Sequence, residues 1–193
     1  DYRNYKKRNI ELPDFTDCVY YSERLNKNEF KNTINRYQLK KNDILVLLTC
    51  PPEINVLQEL IYTIRPESVI LAFEESELNE TRNILKKLTG LIKFIINNKK
   101  GELNIYQVAA LTGQIESTIL VALQYFEAKG LISTEKISPD TFLIRRGNSD
   151  PIMAEKIKQK HIKQLIKEKK KKKKYMLKKD INHIKNLIID GLR

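Results

Sequence analysis

Apolar positions recur along this chain in three rhythms, and each implies a different kind of structure. Over the first half, short apolar runs are separated by helical patterns. Residues 17–22 (DCVYYS) are β-prone, and residues 43–50 (DILVLLTC) are nearly all apolar, the pattern of a strand covered on both faces. Pro51 and Pro52 end that run, and residues 53–64 set Ile54, Leu57, Leu60 and Ile61 at helical spacing until Pro66 stops them. Residues 68–73 (SVILAF) repeat the buried-strand pattern, so strand, helix and strand predict a parallel pair joined by a right-handed crossover. Residues 25–38 and 79–97 add helical patterns, the second with Ile84, Leu85, Leu88, Ile92 and Ile95 on one side. Residues 1–97 thus read as a small parallel-sheet α/β domain.

From 98 to 147 the rhythm changes. Asn104 stands where a cap would start a helix running to Leu111, and Thr112-Gly113 is a turn. A longer helix from about Ile115 is expected to bury Ile119, Leu120, Leu123 and Phe126, with Gly130 closing it. Residues 131–134 (LIST) and 141–146 (TFLIRR) make two returning strands, and the whole predicts a winged helix-turn-helix. The third rhythm, 148–193, is a long lysine-rich helical pattern. Ile157, His161, Ile162, Leu165 and Ile166 gather on one side, residues 169–174 are six lysines with nothing apolar to bury, and apolar spacing resumes at Met176, Leu177, Ile181, Ile184, Leu187 and Ile188. A fully helical 151–190 would run ~60 Å, so part of it must project or bend. The expectation is a basic helical arm whose removal leaves the body folded.

Charge sharpens that division. The net charge is +12, and residues 151–193 hold 15 Lys+Arg against 4 Asp+Glu, which leaves 21 against 20 for residues 1–150. The body is nearly neutral and the tail carries the basicity, although abundant Lys, Asn and Ile throughout is also what AT-rich coding DNA produces. No apolar run reaches the ~18–20 residues of a membrane span, and the opening DYRNYKKRN has no signal-peptide core. Without an initiator methionine the chain reads as a fragment of a longer polypeptide. Cys18 and Cys50 are far apart and lack CxxC spacing, so neither zinc nor a disulfide framework is indicated, and a reducing cytosol is the expected compartment.

Catalytic patterns are missing. His161 and His183 have no Asp or Cys at ligand spacing, and no GxGxxG, GxxxxGK[ST] or GxSxG is present. Glu74, Glu75 and Glu77 follow a buried strand, where an α/β sheet often places ligands, and could hold Mg²⁺. They equally read as a solvated loop entering a helix whose positive end favours carboxylates. The helix that would enter a DNA groove, 114–128, has Glu116 and Glu127 and no Lys or Arg. Base contacts from Gln114, Ser117, Thr118 and Gln124 are conceivable, but phosphate attraction is what supplies non-specific affinity, and only Arg145 and Arg146 stand nearby. The phosphate-binding candidates are therefore those two arginines with Lys167, Lys169, Lys170, Lys171, Lys172, Lys173, Lys174, Lys178 and Lys179.

The opening DYRNY, the block ILVLLTCPPEINVLQELI, the strand ESVILAF and the winged-helix segment follow one another in an order that resembles the C-terminal region of RecJ-type single-stranded-DNA exonucleases of Gram-positive bacteria. The resemblance covers about residues 1–147 and rests on order and pattern. It matches Asp1 and Arg3 to an aspartate–arginine element and Pro51-Pro52 to prolines at a strand end. It implies the accessory end of a nuclease whose 5′→3′ digestion depends on divalent metal held by Asp-His-His and related motifs in upstream domains. Those motifs are absent here, so no cofactor is expected in this chain. Family resemblance also implies protein partners such as single-stranded-DNA-binding protein. The expected function is then a non-catalytic interaction region of a DNA-processing enzyme, with a basic arm that grips nucleic acid without sequence preference. The alternatives are a free-standing winged-helix regulator that binds DNA or protein, and an α/β enzyme using the acidic edge at 73–77. A membrane-surface arm ranks last, because it lacks Trp and Phe.

Overall fold

The computed structural model describes residues 1–4, 6, 11–12, 15–23, 30, 32–73, 81–147 and 155–192. The fold is mixed α/β, with a four-stranded parallel sheet, a three-stranded antiparallel sheet and six helices among the described residues. The chain forms two compact units, one made of residues 1–76 with 169–193 and the other of residues 77–168. These units divide the chain at other places than its charge and composition do.

In the first unit the sheet order is β2-β1-β3-β4, with β1 (Cys18–Tyr21), β2 (Thr33–Ile34), β3 (Ile44–Leu47) and β4 (Ser68–Leu71) all parallel. The three apolar runs of the sequence become β1, β3 and β4, and the β3–β4 pair is joined by helix α1 (Ile54–Ile64), which buries Leu57, Leu60, Ile61 and Ile64. Arg65 ends α1 in a left-handed conformation, its N–H returned to the Ile61 carbonyl, just before Pro66. The helix expected over 25–38 is corrected where it is described, at 32–38, while residues 25–29 and 31 lie outside the described residues. Thr33 and Ile34 are a strand pairing with Tyr20 and Tyr21, and Gln38 N–H closes a turn on the Asn35 carbonyl. Helical spacing in that segment lost to the unpaired edge of β1, which needs hydrogen-bond partners when buried. The N-terminal residues continue the opposite edge: Tyr2 N–H donates to the Leu71 carbonyl (2.6 Å) and Asn4 N–H to that of Phe73 (3.1 Å).

The second unit holds helix α2 (Thr81–Asn98), strand β5 (Glu102–Asn104), helices α3 (Ile105–Thr112) and α4 (Glu116–Ala128), and strands β6 (Ile132–Lys136) and β7 (Thr141–Arg146). The antiparallel sheet runs β5-β7-β6. The Asn104 side chain accepts from Gln107 N–H and so caps α3, and Gly113 turns the chain in the left-handed region before α4. Ile84, Leu88, Ile92 and Ile95 of α2 meet Ile119, Leu123 and Phe126 of α4 in one core. Leu120, expected inside, is instead exposed. Strand β5 was not anticipated: three residues are too short for a period, and Gly101 permits it by approaching Ile144 so closely that a Cβ would lie 2.4 Å from its carbonyl oxygen.

The lysine-rich pattern is two helices, α5 (Glu155–Lys178) and α6 (Ile181–Leu192), separated at Asp180, whose carboxylate accepts from Asn182 N–H (2.7 Å). The expectation of a separable arm is corrected by their packing. Ile162 and Ile166 belong to the core of the second unit, while Met176 and Ile184 belong to that of the first, where α6 packs on α1. Apolar residues at helical spacing inside the basic tract are what bind it to the body.

Candidate nucleic-acid interface

α5 carries the densest positive charge, and its exposed lysines fall at regular intervals. In the portion belonging to the second unit these are Lys160, Lys163 and Lys167; in the portion belonging to the first they are Lys171, Lys174 and Lys178. Both sets are spaced by three and four residues, so each lies along one face of its helical segment. Lys179 is also exposed and Lys170 half-buried, whereas the side chains of Lys169, Lys172 and Lys173 lie outside the described residues. Burial of Ile162, Ile166 and Met176 is what turns the lysines outward: the apolar side of the helix is committed to a core, so the ammonium groups keep water. Two turns of helix separate Lys171 from Lys178, about 10 Å, so three ammonium groups stand along one side of the segment.

At the end of α5 the chain terminus makes a fastening. Arg3 donates from Nη1 to the carbonyls of Met176 (2.8 Å) and Lys179 (2.7 Å), satisfying acceptors that a helix end leaves open. Asp1 holds the guanidinium from the other side, with Oδ1 accepting from Nε (2.9 Å) and Oδ2 from Nη2 (2.6 Å). Partial burial lowers the Arg3 pKa, and the charge of Asp180 works against that shift. The aspartate–arginine pair singled out in the sequence is thus a clasp on the α5 terminus.

α4 offers a different surface. Gln114 and Thr118, two of the four residues considered for base contacts, are buried, while Ser117, Leu120 and Gln124 face outward. Glu127 accepts from both the backbone N–H and the hydroxyl of Thr134 (2.9 and 3.0 Å), which ties α4 to β6. On β7, Arg145 pairs with Glu135 across the β6–β7 ladder (2.9 Å), and Arg146 donates to Asn97 at 3.5 Å. The exposed middle of α4 is therefore neutral, and one of the two neighbouring arginines already has a carboxylate.

Two further features had no sequence signal beyond single charged residues in ordinary positions. In the first unit Glu23 and Arg36, both buried, form a two-pronged ion pair beyond the carboxyl ends of β1 and β2, with Arg36 Nη2 to Glu23 Oε2 at 2.6 Å. Glu23 N–H donates to Thr49 Oγ1 (3.0 Å). Burial alone would lower the Arg36 pKa, but the Glu23 hydrogen bond and charge outweigh it and raise it. The Tyr21 hydroxyl is buried without a hydrogen-bond partner, and burial, reinforced by the Glu23 charge, pushes its pKa well up. In the second unit a cleft of about 640 Å³ lies among α2, the end of α4, and the beginning and end of the β6–β7 pair.

Glu74, Glu75 and Glu77, considered for Mg²⁺, lie outside the described residues. Among the described residues no group of three or more His, Cys, Asp or Glu is placed to hold a metal ion, and no helix is long and apolar enough to cross a membrane. Neither a protein-family model, nor a curated protein, nor a solved structure matches the chain.

Proposed function

We propose that this chain is a non-catalytic accessory region of a DNA-processing enzyme, of the kind represented by RecJ-type single-stranded-DNA exonucleases, and that α5 tethers nucleic acid by its phosphate backbone. The observation that carries the reading is the spacing of exposed lysines on α5 with the opposite side committed to apolar cores. Ammonium groups act as compact point charges, so such a surface attracts phosphate without selecting bases. The elements from α3 to β7 have the order of a winged helix-turn-helix, used in this proposal as a packing module. The buried Gln114 and Thr118 and the neutral outward side of α4 argue against duplex reading, and hence against a free-standing regulator that reads DNA.

The test is fluorescence anisotropy of a labelled oligothymidine as a function of salt. Lys171→Gln, Lys174→Gln and Lys178→Gln together should make the slope of log affinity against log salt less negative by about 2, at about 0.7 per phosphate contact for a single strand. A second triple variant, Lys160→Gln, Lys163→Gln and Lys167→Gln, reads the other segment by itself. Glutamine preserves helix propensity, so circular dichroism should be unchanged. Unchanged affinity and slope in both triple variants would refute the tether.

A further inference from the structure

Helix α2 turns a face of one charge sign outward. Its apolar side is committed, with Ile84, Leu88, Ile92 and Ile95 in the core of the second unit. Arg82, Lys86, Gly90, Lys93 and Asn97 are all exposed and follow one another by three or four positions, so they lie along one face. Phe94, one turn beyond Gly90, borders that face with 52% of its surface exposed. α2 holds no Asp or Glu, and its fourth cation, Lys87, donates to the Leu111 carbonyl (2.8 Å). Gly90 is the anomaly. A glycine inside a helix weakens it relative to alanine, and its usual use is to let something approach the backbone closely. Among the described residues nothing does so: a Cβ at Gly90 would meet no heavy atom within 4 Å.

We propose that the outward face of α2 binds a single strand of DNA, with phosphates at Arg82, Lys86 and Lys93, one base stacked on Phe94, and the strand's backbone lying over Gly90. Charge and shape together select the occupant. Three exposed cations on a helix without a carboxylate favour an anion, and an exposed ring favours a partner with flat groups to stack on it. A single strand offers both, because its bases are open to an aromatic side chain while its phosphates meet the cations. The missing side chain at Gly90 leaves the helix backbone open between the cations and the ring. A lipid surface suits the helix poorly, since membrane-surface helices insert an apolar face and that of α2 is in the core. The proposal rests on the nucleic-acid reading above and deepens it: it uses none of the α5 lysines and adds a contact that senses bases to a tether that senses phosphate.

The experiment uses the full chain and the fluorescence anisotropy of two labelled strands, an oligothymidine and a strand of the same length made of abasic sites. Lysines on α5 act on phosphate alone, so their contribution is equal for both. The oligothymidine should bind at least about fivefold more tightly, the lower end for stacking one base on an aromatic side chain. Phe94→Ala should abolish that preference, and Phe94→Tyr should retain it. Lys86→Gln with Lys93→Gln should make the salt slope less negative by about 1.4, at about 0.7 per contact. Gly90→Gln should raise the thermal midpoint, because glutamine is the better helix former, and yet weaken oligothymidine binding. That variant separates a lost contact from a lost fold. Equal or absent binding of the two strands, a preference that survives Phe94→Ala, or unchanged affinity in Gly90→Gln would overturn the proposal, as would tighter binding of oligouridine than of oligothymidine. The salt slopes of the α5 variants do not depend on these outcomes, so failure of this face and failure of the tether are told apart.

Discussion

The two compact units use their polar side chains in opposite ways. In the first unit charge is inside: Glu23 and Arg36 are buried against each other, and the Tyr21 hydroxyl is enclosed without a partner. In the second unit the buried polar side chains among the described residues are uncharged, namely Thr112, Gln114 and Thr118, and its charged side chains, among them Lys93, Lys129 and Arg146 beside the cleft, are half-buried or exposed. A buried pair is satisfied within the chain and has little left to offer a ligand. Cations that are not enclosed against a carboxylate, such as the exposed Lys93 and Arg146 beside the apolar cleft, keep their charge in contact with solvent. Partners are therefore to be sought on the second unit and along α5, and stability determinants in the first.

The largest effect should come from breaking the buried pair. Arg36→Ala leaves the Glu23 carboxylate enclosed without its cation and should destabilise the first unit by about 3–5 kcal/mol. Replacing both residues by apolar ones of similar size, Arg36→Met with Glu23→Leu, should recover most of that loss. Chemical denaturation followed by circular dichroism, with hydrogen exchange to localise the change, checks both. Equal stability of Arg36→Ala and the wild type would mean that the pair is solvated in solution.

Next in size is the anchoring of the basic tract. Ile184→Ala should cost about 2–5 kcal/mol, the range for large-to-small changes in packed cores, and hydrogen exchange should place the loss in α1, α6 and the parallel sheet. A solvated tail would lose nothing. This result also decides how truncations are to be read, since deletion of 169–193 removes core residues together with lysines.

A smaller effect, of opposite sign, is expected at Tyr21. Tyr21→Phe removes an enclosed hydroxyl without a partner, so stability near neutral pH should hold or rise by about 1 kcal/mol. The pH dependence supplies a second readout. Burial first, then the Glu23 charge, raises the phenol above its ordinary value of 10.0, so the folded chain keeps a proton that the unfolded chain releases. That contribution is complete below pH 10.0 and is lost as pH rises through the folded-state value. The stability difference between Tyr21→Phe and wild type should therefore grow in favour of the variant as pH rises above 10.0. A difference that is flat with pH would place the hydroxyl in contact with solvent.

The smallest change belongs to the exposed pair of the second unit. Arg145 and Glu135 are 60% and 61% exposed at the side chain, so solvent screens their attraction, and Arg145→Ala should alter stability by less than about 1 kcal/mol. A loss as large as that of Arg36→Ala would erase the contrast between the units.

Much of the architecture was legible because it depends on local periodicity. The runs at 43–50 and 68–73 are β3 and β4, the helical spacing at 53–64 is α1, and Asn104, Gly113 and residues 141–146 fall where the cap, turn and last strand stand. What failed was short or shared. Thr33–Ile34 carries too few residues for a period of two to be told from a helical one, and β5 is equally brief. Leu120 sits at the margin of the apolar side of α4, where spacing does not separate inside from outside. The candidate lysines were visible as composition, yet which of them point to solvent depended on where Ile162, Ile166 and Met176 are buried. Lys93 and Lys129 carried no signal, being single lysines in ordinary helical contexts.

By itself the amino-acid sequence determined the types of the longer elements, the concentration of positive charge after residue 150, and the lack of cation on the helix at 116–128. These depend on nearest neighbours and on covalent order, which need no knowledge of what meets what. Tertiary structure alone decided that Glu23 finds Arg36, that Arg3 fastens the end of α5, that the basic tract is bound by its apolar residues to the cores, and that three cations from separate elements surround one apolar cleft. Each of these joins residues distant in sequence. The free energy that brings them together comes from burying apolar area over whole units, a quantity no local window of the chain contains.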